Sequence, residues 1–92
     1  MKIIYFAWLR EKTGVSEEEA DPPESVSTVE ELMDWLKQRG GGYAEAFADR
    51  STVHAAVNQE YVNFDHSVAA GDEIAFFPPV TGGRQNIEDS KW

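Results

Sequence analysis

The sequence predicts an α+β roll, a mostly antiparallel mixed sheet wrapped over one main helix. Three observations carry this reading. An apolar run rich in β-branched and aromatic residues opens the chain at 2–9. One amphipathic stripe follows at 29–36, and a strand-rich half closes on Glu73-Ile74-Ala75-Phe76-Phe77. The helix falls between an N-terminal hairpin and the C-terminal strands, so the first and last strands are expected to be sheet neighbours.

Each element has its own local signal. Residues 2–9 form a continuous apolar run bounded by charge, which predicts a strand covered on both faces or one with a face reserved for a partner. Thr13-Gly14 is a turn. Val15 to Ala20 predicts a weak second strand, and Asp21-Pro22-Pro23 breaks it. Thr28 is an N-cap, with Glu31 three residues on as the other half of a capping box. Val29, Leu32, Met33 and Leu36 then repeat at i, i+3, i+4 and i+7 as one apolar stripe. Gly40-Gly41-Gly42 reads as a helix stop. It is not a phosphate loop, because no strand precedes it and no Gly-Lys-Ser/Thr follows. Tyr43 to Ala48 predicts a short helical turn with Phe47 inward. Val53 to Asn58 is a strand, Asn58-Gln59-Glu60 a turn and Tyr61-Val62 a short strand. Asn63 to Asp72 is loop before the last strand.

Composition narrows the function classes. Ninety-two residues make one small core. Seventeen acidic against eight basic residues give a net charge of −9, which argues against nucleic acid and reads equally as solubility or as steering toward partners with basic docking surfaces. There is no cysteine, so disulfides, thiolate metal sites and a cysteine nucleophile are excluded. The apolar start is too short for a membrane span and lacks a cleavage signal, so a cytoplasmic protein is expected.

Catalytic chemistry in place is hard to find. His54 sits in a strand and His66 in a loop, neither with a second ligand at metal-binding spacing, so no metal site is expected. Ser51 and Ser67 have no base and orienter, and Glu17-Glu18-Glu19 reads as a solvated charge run. Trp35 is placed at the edge of the helix stripe, Trp8 on the first strand and Trp92 outside the fold. By its own residues the domain does not look like an enzyme.

The last strand stops at Pro78-Pro79 and continues as Val80-Thr81-Gly82-Gly83. Prolines stiffen the base of such a tail, and glycines let its end enter a channel too narrow for side chains. Pro78 to Gly83, extended at roughly 3.3 Å per residue, spans about 20 Å. Together with Tyr5-Phe6-Ala7-Trp8-Leu9-Arg10-Glu11, Ala56-Val57-Asn58-Gln59, Phe64-Asp65-His66 and Gly71-Asp72-Glu73, this motif closely resembles the MoaD-type small subunits of molybdopterin synthase. These belong to the ubiquitin-like MoaD/ThiS sulfur carriers. The resemblance covers residues 1–83 and implies a β-grasp fold.

It also implies a function. An adenylating enzyme related to ubiquitin-activating enzymes would use ATP to activate the Gly83 carboxylate, which sulfur then converts to a thiocarboxylate. The tail would enter the large synthase subunit, in a heterotetramer, and deliver sulfur to cyclic pyranopterin monophosphate. No cofactor is expected on the carrier itself. Matching to the family pattern assigns Phe6, Arg10, Tyr61 and Phe77 to the partner interface. Phe6 and Phe77 read equally as core by strand parity alone, and the number of aromatics for so small a sheet favours interface for Phe77.

One feature departs from the family. Arg84 follows Gly83 where the chemistry needs a free carboxylate, and nine residues, Arg84 to Trp92, form an extension expected to be disordered. Proteolytic removal, an addition foreign to the gene product, and loss of sulfur transfer with binding kept are the three accounts open. A ubiquitin-like modifier joined to lysines through Gly83 and a non-covalent binding module are the alternative functions. A carrier for the thiamin thiazole fits the Phe76-Phe77-Pro78-Pro79-Val80 run less well.

Overall fold

The opening apolar run does not stay in the sheet. Strand β1 covers Lys2–Tyr5, and helix α1 occupies Trp8–Thr13, so the expected strand over 2–9 is corrected to four residues and Trp8 opens a helix. The reversal falls at Ala7, whose φ of 56° is a conformation that costs an L-residue about 1–3 kcal/mol. Hydrophobicity alone carried no sign of it. Buried Leu9 shows what the turn achieves, since it folds the end of the run onto the core.

The computed structural model describes residues 1–79. Beyond α1, the order is β2 (Glu17–Glu19), α2 (Val29–Lys37), α3 (Gly41–Ala46), a 3₁₀ turn at Arg50–Thr52, β3 (His54–Val57), β4 (Glu60–Val62) and β5 (Glu73–Phe77). The five strands form one sheet in the order β2-β1-β5-β3-β4. The first and last strands are neighbours as expected, and this central pair is parallel while the other three pairs are antiparallel. The extension 84–92 and the tail residues Val80, Thr81, Gly82 and Gly83, like Trp92, lie outside the described residues.

Helix α2 is built as its stripe requires, with Val29, Leu32, Met33 and Leu36 all buried. Its Thr28 hydroxyl accepts from the Glu31 amide at 3.2 Å. The return half differs from a simple capping box, because Glu31 accepts from the Ser27 amide, one residue further out, at 2.8 Å. The 63–72 loop also caps the helix, His66 and Phe64 carbonyls accepting from the Val29 and Glu30 amides.

The glycine triplet does more than stop α2. Gly40 has φ 79° and turns the chain, but Gly42 lies inside α3, where a Cβ would overlap the carbonyl group of Lys12 in α1. Its missing side chain is what lets the two helices touch.

The main core joins Ile3, Tyr5, Ile74, Phe76, Ala55 and Val57 from one sheet face to α2, Leu9, Ala46 and Phe47. Phe47 meets Phe76 edge-on at 5.0 Å, and Tyr5 stacks against Phe76 at 6.3 Å. At the β2 edge, Glu18 points to this side, unlike its neighbours Glu17 and Glu19. It accepts hydrogen bonds from Tyr5 at 2.7 Å, Tyr43 at 3.0 Å and Arg39 at 2.9 Å. Burial opposes ionisation of Glu18, but these three donors outweigh it and hold its pKa below the ordinary carboxylate value. Burial, then Glu18 itself, pushes the Tyr5 phenol far up. So one member of the charge run is a structural anchor.

The sign of its pH effect follows from the depressed pKa. The stabilisation is present above the unfolded-state value of about 4.3 and is lost as pH falls through the lower folded value. Melting temperature measured from pH 7 down to pH 3 should therefore fall more steeply in the native chain than in Glu18→Gln. An identical slope would show that Glu18 is not the anchor.

Candidate functional site

The sheet has a second face, and among the described residues its buried cluster includes no helix residue. Ala56, Ala75 and Phe77 form a small separate cluster there, with Ile4 packed beside them. Strand register sorts this outer face by polarity. Where Lys2 pairs with Glu73 and Glu19, the face is charged, and Lys2 lies 3.7 Å from Glu17. Towards the other end, where Ala75 pairs with Ala56 and Phe77 with His54, it is apolar and aromatic. That apolar end is where β5 leaves the sheet into Pro78 and Pro79, both half-buried. The tail thus starts from the rim of an apolar patch.

Of the four residues assigned to an interface, Phe77, Tyr61 and Phe6 lie at or beside this apolar end, and no contact brings Arg10 to it. Phe77 is on the outer face yet only 7% exposed, with the Tyr61 ring 5.3 Å away and the His54 ring 5.9 Å away. A shortage of cover was the reason for placing it at an interface, and neighbouring rings supply cover instead. Tyr61, on the edge strand β4, is 60% exposed, and Phe6 is 38% exposed, so neither is core. Phe6 still follows the β1 ladder, its amide donating to the Phe76 carbonyl at 3.0 Å. Arg10 is exposed one helical turn further on in α1. No ion pair within 4.0 Å joins Arg10 to a described residue, whereas Lys2, Lys12, Arg39 and Arg50 all have carboxylate partners.

Local sequence explains why β5 presents the tail there. Asn58 and Gln59, with φ of 52° and 73°, make the tight turn that reverses β3 into β4. Asn58 then donates to Asp72 at 3.1 Å and accepts from the Glu73 amide at 3.1 Å, pinning the start of β5 beside the hairpin. Asp72 also accepts from the Ala69 amide at 2.9 Å. The sequence marks Asn58 and Asp72 as turn residues and as part of the family motif, without their mutual hydrogen bond. Nor does it show the placement of His54, which register alone puts opposite Phe77.

Among the described residues no group of three His, Asp or Glu side chains is placed to hold a metal ion. None of their helices is long and apolar enough to cross a membrane.

A mixed five-stranded sheet cradling one main helix, with its last central strand running into a Pro-Pro-Val-Thr-Gly-Gly segment, defines a ubiquitin-like β-grasp carrier. The chain belongs to the ThiS family, whose model matches residues 3–83. It is 45% identical over 85 residues to the molybdopterin synthase sulfur carrier subunit of Escherichia coli K12, covering 90% of this chain and 99% of that one. Among solved structures it is similar to a Pyrococcus furiosus protein described as subunit 1 of a molybdopterin converting factor. That match has 36% identity and a TM-score of 0.69, and covers 86% of this chain and 95% of that one. It is also similar to small archaeal modifier protein 1 of Haloferax volcanii. The identity there is 29% and the TM-score 0.67, over 87% of this chain and 97% of that one.

Proposed function

We propose that the chain is the sulfur carrier of molybdopterin synthesis, a non-catalytic subunit that works once residues 84–92 have been removed. Gly83 is the reacting residue. Its carboxylate attacks the α-phosphorus of ATP on an adenylating enzyme, pyrophosphate leaves, and an acyl-adenylate results. A sulfur nucleophile then displaces AMP to give the thiocarboxylate. Adenylation is needed because a carboxylate oxygen is otherwise a poor leaving group. In the large subunit the thiocarboxylate sulfur passes to cyclic pyranopterin monophosphate, and water returns Gly83 to the carboxylate.

The observation that carries the reading is the junction at Phe77-Pro78, where the strand leading to Gly83 leaves the sheet at an apolar rim. A carrier needs reach and a docking face more than catalytic groups. Pro78, Pro79, Val80, Thr81 and Gly82 provide the reach, and Phe6, Arg10, Tyr61 and Phe77 the docking contacts. The net charge of −9 speeds encounter with basic partner surfaces. The partners are the large synthase subunit, the ubiquitin-activating-like adenylyltransferase and a processing protease; nucleic acid and membranes are not among them. The carrier holds no cofactor, ATP being consumed on the activating enzyme, and the compartment is the cytoplasm.

Intact mass of the protein from its native cells tests this. A species ending at Gly83, alone or heavier by the oxygen-to-sulfur difference, is expected. A mass that always includes Trp92 would exclude sulfur carriage by this chain. The likeness to the archaeal modifier protein supports a second reading, attachment through Gly83 to lysines of other proteins. Gly83–lysine linkages in digests of the same cells would decide for it.

A further inference from the structure

The apolar rim carries an imidazole ring. His54 opens β3 directly opposite Phe77, its ring centroid 5.9 Å from the phenyl ring with the planes 38° apart. On Phe77 the Tyr61 ring packs at 5.3 Å, so three rings stand together at the root of the tail. His54 is exposed, and no side-chain hydrogen bond or ion pair joins its ring to another described residue. The second histidine differs, since its Nδ1 lies 2.8 Å from the Ser67 carbonyl. Charged groups line the two depressions that flank His54. They are Glu60, Asp65 and His66 from β4 and the loop after it, and Arg50 from the 3₁₀ turn.

We propose that His54 is a docking residue that the large subunit covers in its neutral form, so that assembly releases a proton and weakens in acid. This rests on the carrier reading above. Two physical effects share that sign. A ring among aromatic side chains loses water when a partner closes over it, which penalises the imidazolium. A chain of charge −9 selects a partner of positive potential, which repels an added cation.

An imidazole changes charge across this pH range, so a partner that accepts only the neutral ring raises the dissociation constant roughly tenfold between pH 7.5 and 5.5. Calorimetric titration with the large subunit from the same organism reads this directly. The carrier is used both as the full chain and as the form ending at Gly83, whose strands and core all precede Pro79. The native sequence should show the tenfold change and a net release of protons on binding near pH 6.5, measured in two buffers of different ionisation enthalpy. His54→Gln and His54→Asn should bind at pH 5.5 within about twofold of pH 7.5, with no His54-linked proton release. His66→Gln should keep the native profile. A pH profile that survives in both His54 variants overturns the proposal and leaves the carrier reading standing. Absence of binding by both carrier forms at every pH overturns the carrier-subunit reading, and this proposal with it.

Discussion

Gly42→Ala should lower the stability of this domain more than any exposed substitution of comparable size. The added Cβ would overlap the Lys12 carbonyl oxygen and lie 2.8 Å from its carbonyl carbon, and both atoms belong to the α1 backbone. A flexible side chain could swing aside; a helix carbonyl cannot. Separating α1 from α3 would also disturb the seating of buried Leu9, Ala46 and Phe47. Forced overpacking of this kind costs about 3 kcal/mol. In a domain of this size that corresponds to a melting point lower by roughly 12–24 °C. Gly41→Ala is the control, with open space around its Cβ and only a φ of 54° to oppose it. It should cost about 1–2 kcal/mol. Thermal melts that rank the two equally, or Gly41→Ala lower, would show that α1 and α3 do not meet as described.

The second large effect concerns sulfur loading. Given an adenylating enzyme, ATP and a sulfur donor, the form ending at Gly83 should acquire the oxygen-to-sulfur mass difference nearly to completion. The 92-residue chain should acquire none, because the Gly83 carbonyl is held in an amide to Arg84. An amide offers no carboxylate oxygen to attack ATP, so the effect is all or none. Both forms contain all five described strands, so a difference between them reports on the carboxylate and not on folding. Equal loading of the two forms would place the acceptor elsewhere than Gly83.

Much of this architecture is legible in the chain because the signals are local. Val29, Leu32, Met33 and Leu36 declare a helix by their spacing, and Thr28 and Glu31 mark its start. The Asn58-Gln59 turn and the run Glu73–Phe77 are likewise marked by residue types that suit only a few backbone conformations. The tail motif needs no fold to be seen. The run Tyr5 to Leu9, by contrast, reads as strand throughout, since period-free hydrophobicity cannot distinguish a buried strand from a strand that turns into a helix. Glu18 hides in the same way among three identical residues. Only pairing with Ile3 shows which of them points at Tyr5.

The sequence by itself determined the fold class, the single amphipathic helix, the strand that ends the domain and the motif that ends in Gly83. Each depends on residues adjacent or one helical turn apart, so chain chemistry alone encodes it. Tertiary structure decided the turn at Ala7, the close approach that Gly42 permits, the anchoring of Glu18 and the company of His54, Phe77 and Tyr61. Those relations join residues far apart in the chain, and the register of the sheet together with the contact of two short helices brings them within reach.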